Sequence, residues 1–292
     1  MTDINITFAA LSDVGLARTV NEDAFQLTDL STGASCEASP SQGQMRVGAR
    51  GVLLSLSDGM GGHAAGEVAA ATVIGSVRNS LQAAGSGPAE QRLEAAVRRA
   101  NTDVIEAARA KGRHGMGATL TAVLVDGDTA SVAEVGDSRA YVLRSGQLKQ
   151  ITHDQSLVQM LVDQGLMDKE EAERSSRKNI LLQAMGSVEE VHAAIGQVVL
   201  RRGDKLLLCS DGISNAISHD ELRDILAANA PWPACAHLVQ LANDRGGDDN
   251  LTAVVALFEG EGLVAPAASE TVTGTFAVIK DFGSTKPVAA AS

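Results

Sequence analysis

The sequence predicts an α+β protein built as a four-layer αββα sandwich, with two central, mainly antiparallel sheets between two layers of helices. Three observations lead there. Apolar runs of strand length occur in groups, two pairs of helical patterns stand apart from them, and neighbouring strands are joined by two-residue turns such as Asp126-Gly127 and Ser145-Gly146. A helical insertion at about 153–190 and a mobile C-terminal tail at 259–292 complete the expected organisation, with 1–258 as the single catalytic-sized domain.

In chain order, residues 4–11 and 24–28 read as short strands, and 31–44, rich in Ser, Gly and Ala, as a loop. Residues 51–57 (GVLLSLS) form an apolar run that stops at Asp58-Gly59 and a Gly-rich turn. Residues 64–84 are helical, with Val73, Val77 and Leu81 spaced by four, and Pro88 starts a second helix carrying Leu93, Val97, Val104 and Ala108 on one face. Strands follow at 119–125, 129–135, 139–144 and 147–152. Helical periodicity returns at 155–164 and 168–173, inside the insertion. Beyond it come strands at 194–200 and 205–210, helices at 220–228 and 233–243, and a strand at 251–258. The tail is rich in Ala, Ser, Thr and Gly, with a short strand expected around 276–279.

Composition narrows the function. Hydrophobic residues make up 45% and only seven of the 292 are aromatic, so the core relies on Ala, Val, Leu and Ile. The net charge of −12 repels phosphate backbones and anionic bilayers, which argues against nucleic acid and membrane partners. No apolar stretch approaches the roughly 20 residues of a membrane helix, and the N-terminus lacks a signal-peptide pattern, so the cytoplasm is the expected compartment. Cys36, Cys209 and Cys235 are too few and too scattered for a disulfide framework or a Cys-x-x-Cys metal site.

Two segments echo each other, LLSLSDG at 53–59 and LLLCSDG at 206–212, each an apolar strand ending in Ser-Asp-Gly. Alternation along a strand puts Asp58 on the face of Leu54 and Leu56, Asp211 on that of Leu207 and Cys209, and Asp137 on that of Ala133 and Val135. Asp249 precedes the last strand, so four acids are expected at one end of the sheets. Without a cation they would repel one another and protonate, whereas a hard divalent ion makes the cluster stable. All-oxygen ligands favour Mg²⁺ or Mn²⁺ over Zn²⁺, and the Gly59 carbonyl adds a further donor. A single Asp-Gly corner is also an ordinary turn, the reading given to Asp126-Gly127.

These motifs resemble the metal-dependent protein serine/threonine phosphatases, the protein phosphatase 2C (PPM) family, and particularly its bacterial branch. The resemblance runs in order through SDVGLARTVNEDAF at 12–25, SDGMGGHAAGEVAA at 57–70, GMGATLTAVLV at 115–125 and VGDSRAYVLRSGQL at 135–148. It continues through THDQSLVQMLVDQG at 152–165, LCSDGISNAI at 208–217 and GGDDNLTAVV at 246–255. Seven ordered motifs are far more specific than one. The resemblance implies hydrolysis of protein phosphoserine and phosphothreonine by in-line attack of a metal-bridging hydroxide, with two Mn²⁺ or Mg²⁺ ions and room for a third. It implies that Asp58 bridges both metals, that the Gly59 carbonyl binds the second, and that Asp211 and Asp249 hold the first. Glu22 and Asp23 act directly or through metal-bound water, Asp137 joins Asp211 at the third metal, and Arg18 grips the substrate phosphate. The implied partners are phosphorylated proteins and a cognate serine/threonine kinase, acted on by a monomer.

Two positions depart from the family pattern. Met60 stands where many eukaryotic members have a histidine; His63, three residues on, either serves as the general acid or orients the Gly-rich loop. Ser175-Ser176 replaces a His-Pro pair usual in the bacterial insertion, called the flap, which points to altered substrate choice. Competing classes fare worse. GMGGHA at 59–64 fits a dinucleotide-binding fingerprint, but Asp58 would repel a pyrophosphate and the βαβ repeat is missing. A cysteine phosphatase needs an arginine six residues after its thiol, where this chain has Gln42, Asn215 and Leu241. A catalytically dead phosphatase fold that binds a partner is opposed by retention of every candidate ligand.

Overall fold

The computed structural model describes residues 3–61, 65–111, 115–275 and 288–289. The elements in the first half are β1 (Asn5–Asp13), β2 (Asp23–Asp29), β3 (Ser35–Cys36), β4 (Ser41–Arg46), β5 (Val52–Met60), α1 (Ala65–Ala83) and α2 (Ala89–Lys111). A run of strands follows: β6 (Gly117–Ala118), β7 (Leu120–Asp126), β8 (Thr129–Val135), β9 (Arg139–Arg144) and β10 (Gln147–Gln150). The insertion contributes α3 (Leu157–Asp163), α4 (Lys169–Arg174) and β11 (Ile180–Leu181). Then come β12 (Ala194–Val199), β13 (Lys205–Cys209), α5 (Asp211–Ala216), α6 (His219–Ala228), α7 (Pro231–Asp244), β14 (Leu251–Glu259), β15 (Gly274–Thr275) and β16 (Val288–Ala289).

One sheet has the order β10-β9-β13-β14-β1-β4; the other runs β15-β12-β8-β7-β5-β2-β3, with β6 also paired to β5. Every strand pair among the described residues is antiparallel. Alternation along the strands divides the core. Leu54 and Leu56 of β5 join Phe8, Val142, Leu206, Leu208 and Phe258 between the sheets. Leu53 points the other way, against Val73, Val77 and Leu81 of α1 and Leu93, Val97 and Val104 of α2. Leu207, Cys209 and Val255 back onto Leu222, Ile225, Leu238 and Val239 of α6 and α7. The four layers expected from the sequence are therefore present, each pair of helices covering the outer face of one sheet. Ser218 caps α6 in a reciprocal bond with Glu221, and Pro231 opens α7 where its missing N–H costs nothing. Among the described residues no helix is long and apolar enough to cross a membrane.

Two expectations fail. Residues 31–44 are not simply a loop, because β4 forms the polar outer edge of its sheet by backbone pairing to β1. Gly43 allows this: a Cβ there would lie 3.0 Å from the Phe8 ring. Nor does a mobile tail begin at 259, since Leu263 and Val272 are buried and β15 extends the second sheet at β12. The reason lies in Arg144 of β9, whose side chain is 1% exposed. Its guanidinium donates to both Asp204 oxygens (3.0 and 2.7 Å), to the Val199 carbonyl (2.7 Å) and to the Thr271 carbonyl (3.3 Å). Glu270 sits 3.4 Å from it and receives Arg201 Nε at 2.8 Å. A buried arginine needs acceptors on every side, and the segment after β14 supplies part of the set. The strand expected at 276–279 lies outside the described residues.

This network sets an order of effects. Asp204→Asn leaves the Arg144 charge buried against a neutral amide and is expected to cost about 3–5 kcal/mol in urea unfolding. Glu270→Gln, at a partly solvent-exposed position, is expected to cost much less than Asp204→Asn. The reverse order would show that the tail contact, not Asp204, neutralises the buried cation.

Candidate active site

All the acids lie where strands end at one edge of the sandwich. Asp58 is near the end of β5, Asp23 opens β2, Asp137 follows β8, Asp211 follows β13 and Asp249 precedes β14. The β2–β5 register sets Asp23 directly opposite Asp58. Arg18, Glu22, Asp58, Gly59, Asp137, Asp211 and Asp249 line one pocket, with Met60 and Leu181 giving it an apolar side. Asp23 stands behind that pocket, and His63 lies outside the described residues.

Several of the acids are held in place, some through the carboxylate and Asp58 through its backbone. Asp23 Oδ2 accepts from Thr252 Oγ1 at 2.6 Å and from Ser210 Oγ at 2.8 Å. The Asp58 amide donates to Thr119 Oγ1 (2.9 Å) and its carbonyl accepts from the Thr119 amide (2.8 Å). Asn215 Nδ2 donates to Asp211 at 3.1 Å, and Arg18 Nη2 to Asp249 Oδ2 at 3.0 Å. Asn250 ties the loop bearing Arg18 and Glu22 to β14. Its Oδ1 accepts from the Glu22 amide (2.8 Å), and its Nδ2 donates to the Val14 and Val20 carbonyls (3.0 Å each). Glycine is required at two contacts. A Cβ on Gly59 would lie 2.1 Å from the Gly66 carbonyl oxygen, and one on Gly15, at φ +78°, would lie 2.2 Å from that of Asp249.

The electrostatics follow from crowding. Withdrawal from water, then the charges of Asp23, Asp211, Asp137 and Asp249, hold the Asp58 carboxyl well above its ordinary range. Burial raises Asp137 likewise, with Asp211 and Asp154 adding to it. Burial pushes Asp23 up to about 7 and Asp211 up to about 6, although Asp23 is eased by its two hydroxyl donors and Asp211 by a hydrogen bond from Asp58. Glu22 is raised by burial and lowered by the Gly66 amide it accepts from. Asp23 Oδ1 and Asp211 Oδ1 are buried with no hydrogen-bond partner. Among the described residues no three His, Cys, Asp or Glu side chains are drawn in as a closed ligand set. The donor chemistry nonetheless fits hard divalent cations: carboxylate oxygens that repel one another, two of them with buried, unused lone pairs, beside a carbonyl at Gly59.

The sequence anticipated this convergence, though for Asp211 and Asp137 by the wrong geometry. Leu207 and Cys209 face α6 and α7, and Ala133 and Val135 face α1 and α2, so strict alternation would carry both acids to the outer faces. The chain turns first. Ser210 stands at the N-cap position of α5, which begins at Asp211, and Gly136 at φ +105° redirects Asp137. Alternation holds only for Asp58, which is still within β5. The supporting residues Asn250, Thr252, Ser210, Thr119 and Gly66 lie within the quoted motifs, but their roles are visible only in the structure. The signal for Asn250 and Thr252 was their place beside Asp249; nothing local marks Thr119.

The chain is similar to proteins already known. Residues 30–256 match the model of a family described as protein phosphatase 2C. The chain is 37% identical over 252 residues to the serine/threonine protein phosphatase PstP of Mycobacterium tuberculosis, covering 86% of this chain and 45% of that one. The chain thus spans about half the length of that curated relative. It is 36% identical over 212 residues to the protein phosphatase PhpP of Streptococcus pneumoniae, covering 71% and 86%. The solved catalytic domain of PstP in complex with two manganese ions superposes with a TM-score of 0.72 at 36% identity, over 88% of this chain and 99% of that one.

Clustered acids that hold protons in the folded state make stability fall as pH rises. With Asp23 near 7 and Asp211 near 6, against about 4 in an unfolded chain, the loss runs from about pH 4 to pH 7. In EDTA the melting temperature is expected to drop across this window more steeply for the wild type than for Asp58→Asn, and Mn²⁺ is expected to remove the difference at pH 7.5. Parallel pH profiles with and without metal would refute this account of the cluster.

Proposed function

The chain belongs to the protein phosphatase 2C family, and we propose that its pocket hydrolyses phosphoserine and phosphothreonine in proteins, with divalent metal ions as cofactors. The observation that carries the proposal is the meeting of Asp58, Asp137, Asp211, Asp249 and Arg18 around one pocket, from segments as far apart as residues 18 and 249. Asp58 would bridge two ions, the Gly59 carbonyl would serve the second, and Asp211 and Asp249 the first. Asp137 with Asp211 would take a third, while Glu22 and Asp23 act directly or through water. Mn²⁺ and Mg²⁺ both suit an all-oxygen set. When bound, such ions supply Lewis-acid charge and acidify water.

The chain's own groups do the rest. Arg18 offers a planar fork for two phosphoryl oxygens, held in readiness by its bond to Asp249. Thr119 fixes the Asp58 backbone through two bonds, and Asn250 fixes the loop that carries Arg18. Met60 and Leu181 exclude water from one side of the pocket. A thiol nucleophile is opposed by burial, which pushes Cys209 and Cys235 up to about 12. His63 stays the candidate general acid. Phosphorylated proteins are the proposed substrates, and a serine/threonine kinase the enzyme whose products are removed, by a monomeric catalytic domain in which about 153–190 forms the flap.

Phosphate release from a phosphothreonine peptide should require Mn²⁺ or Mg²⁺ and stop in EDTA. Asp211→Asn should lower kcat/KM by roughly a hundredfold or more, the scale of losing one preorganised electrostatic element. Arg18→Lys, which keeps the charge and loses the fork, should act chiefly on KM. A well-folded wild type with no metal-dependent turnover would instead favour a phosphatase-like binding module.

A further inference from the structure

Beside the catalytic pocket, between the insertion and the α5–α6 segment, lies a groove of about 390 Å³. Its wall includes Arg139, Glu173, Lys178, Asn215, Glu221 and Arg245. It begins one helical turn from the catalytic acids, because Asn215 donates to Asp211 across that turn. A substrate chain that delivers its phosphorylated residue to the pocket has this groove within reach: one turn of helix spans about 6 Å, or about two residues of extended peptide.

The cations along the groove are not equivalent. Arg139 is clamped by Asp154, at 2.9 and 3.0 Å from Nε and 2.6 Å from Nη2. Arg245 is paired with Glu221, at 2.5 Å from Nη2 and 3.0 Å from Nη1. Among the described residues the half-buried Lys178 side chain has neither a hydrogen-bond nor an ion-pair partner. Its backbone is nevertheless fixed, the amide donating to the Ser175 carbonyl at 3.2 Å. The ammonium is near enough to Asp211 for its charge to oppose the effect of burial on that carboxyl. In a chain of net charge −12, it is a cation on the groove wall with no salt-bridge partner among the described residues. Glu173, exposed on the same wall, is the countervailing anion.

We infer that Lys178 is a specificity-determining residue that receives an anionic group of the substrate, a carboxylate or a second phosphate, one to three residues from the phosphorylated residue. The inference rests on the phosphatase reading of the adjacent pocket. It assigns Lys178 no part in the chemical step: its three-donor, compact charge selects among substrates, and small phosphoesters do not reach it.

The test compares phosphothreonine peptides that carry Gln, Glu or a second phosphothreonine two residues before or after the scissile group, by kcat/KM with saturating Mn²⁺ and by fluorescence anisotropy. The wild type is expected to favour an anionic neighbour by roughly three- to fivefold, the contribution of one half-exposed ion pair. Lys178→Ala should abolish that preference, read as the ratio of each anionic peptide to the Gln peptide in the same variant, Lys178→Arg should retain it, and Glu173→Gln should strengthen it. Whether Glu or phosphothreonine gains more identifies the source of the anion. Equal loss on all peptides in Lys178→Ala, or a preference that survives it, would overturn the inference. If the wild type turns over none of the peptides, the phosphatase reading fails, and anisotropy with the same peptides still decides the role of Lys178.

Discussion

Mutual repulsion among carboxylates at one edge of the sandwich is the constraint on which the rest of the structure depends. Asp23, Asp58, Asp137 and Asp211 gain nothing for folding there, since burial and like charge together drive these four toward the protonated form. What holds them is the sandwich behind them. Leu54, Leu56, Leu206, Leu208 and Phe258 are buried between the sheets and fix the strand ends from which the acids project. Each fully buried side chain of this kind contributes about 1.5–3 kcal/mol, so a strained site is supported by a distant, ordinary core. The rigidity is also local. Thr252, Ser210, Thr119 and Asn250 spend their hydrogen bonds on the acids or on the backbone that carries them.

Buried amides join the insertion to this edge alongside the Arg139–Asp154 ion pair. The Gln155 backbone donates to the Gly136 carbonyl at 2.8 Å while its side chain accepts from the Gly136 amide at 3.0 Å, next to Asp137. Gln183, near the other root of the insertion, donates to Gln155 Oε1 at 2.9 Å and to the His192 carbonyl at 2.6 Å. Both glutamines are almost wholly buried. A fully satisfied amide pair fixes geometry without the desolvation cost of a second buried ion pair.

How far the site could be read from the sequence follows from the range of each interaction. The layers and helix pairs were legible because alternation and four-residue spacing are local: Val73, Val77 and Leu81 are all fully buried as their spacing requires. Asp58 was legible because it still obeys the alternation of β5. Asp211 and Asp137 were found through their motifs, while the strand count gave the wrong face, since the N-cap position at Ser210 and a left-handed glycine at 136 intervene. The packed segment at 260–275 was illegible because Leu263 and Val272 show no periodicity, and Glu270 answers to an arginine 126 residues away. Thr119 and Asn250 carry no local sign of their partners for the same reason.

The two thiols buried between one sheet and its helices, Cys209 and Cys235, bear on the conditions under which this chain can work. Cysteines held near pKa 12 present almost no thiolate at neutral pH, and it is the thiolate that peroxide attacks. Cys209 is the last residue of β13, two positions before Asp211, so an oxidised sulfur there would swell the wall behind the catalytic edge. Keeping it protonated and dry protects that wall. The sulfur that lines the pocket itself is the Met60 thioether and not a thiolate, so the hydrolysis proposed above would not depend on the group that peroxide attacks in a thiol-dependent enzyme.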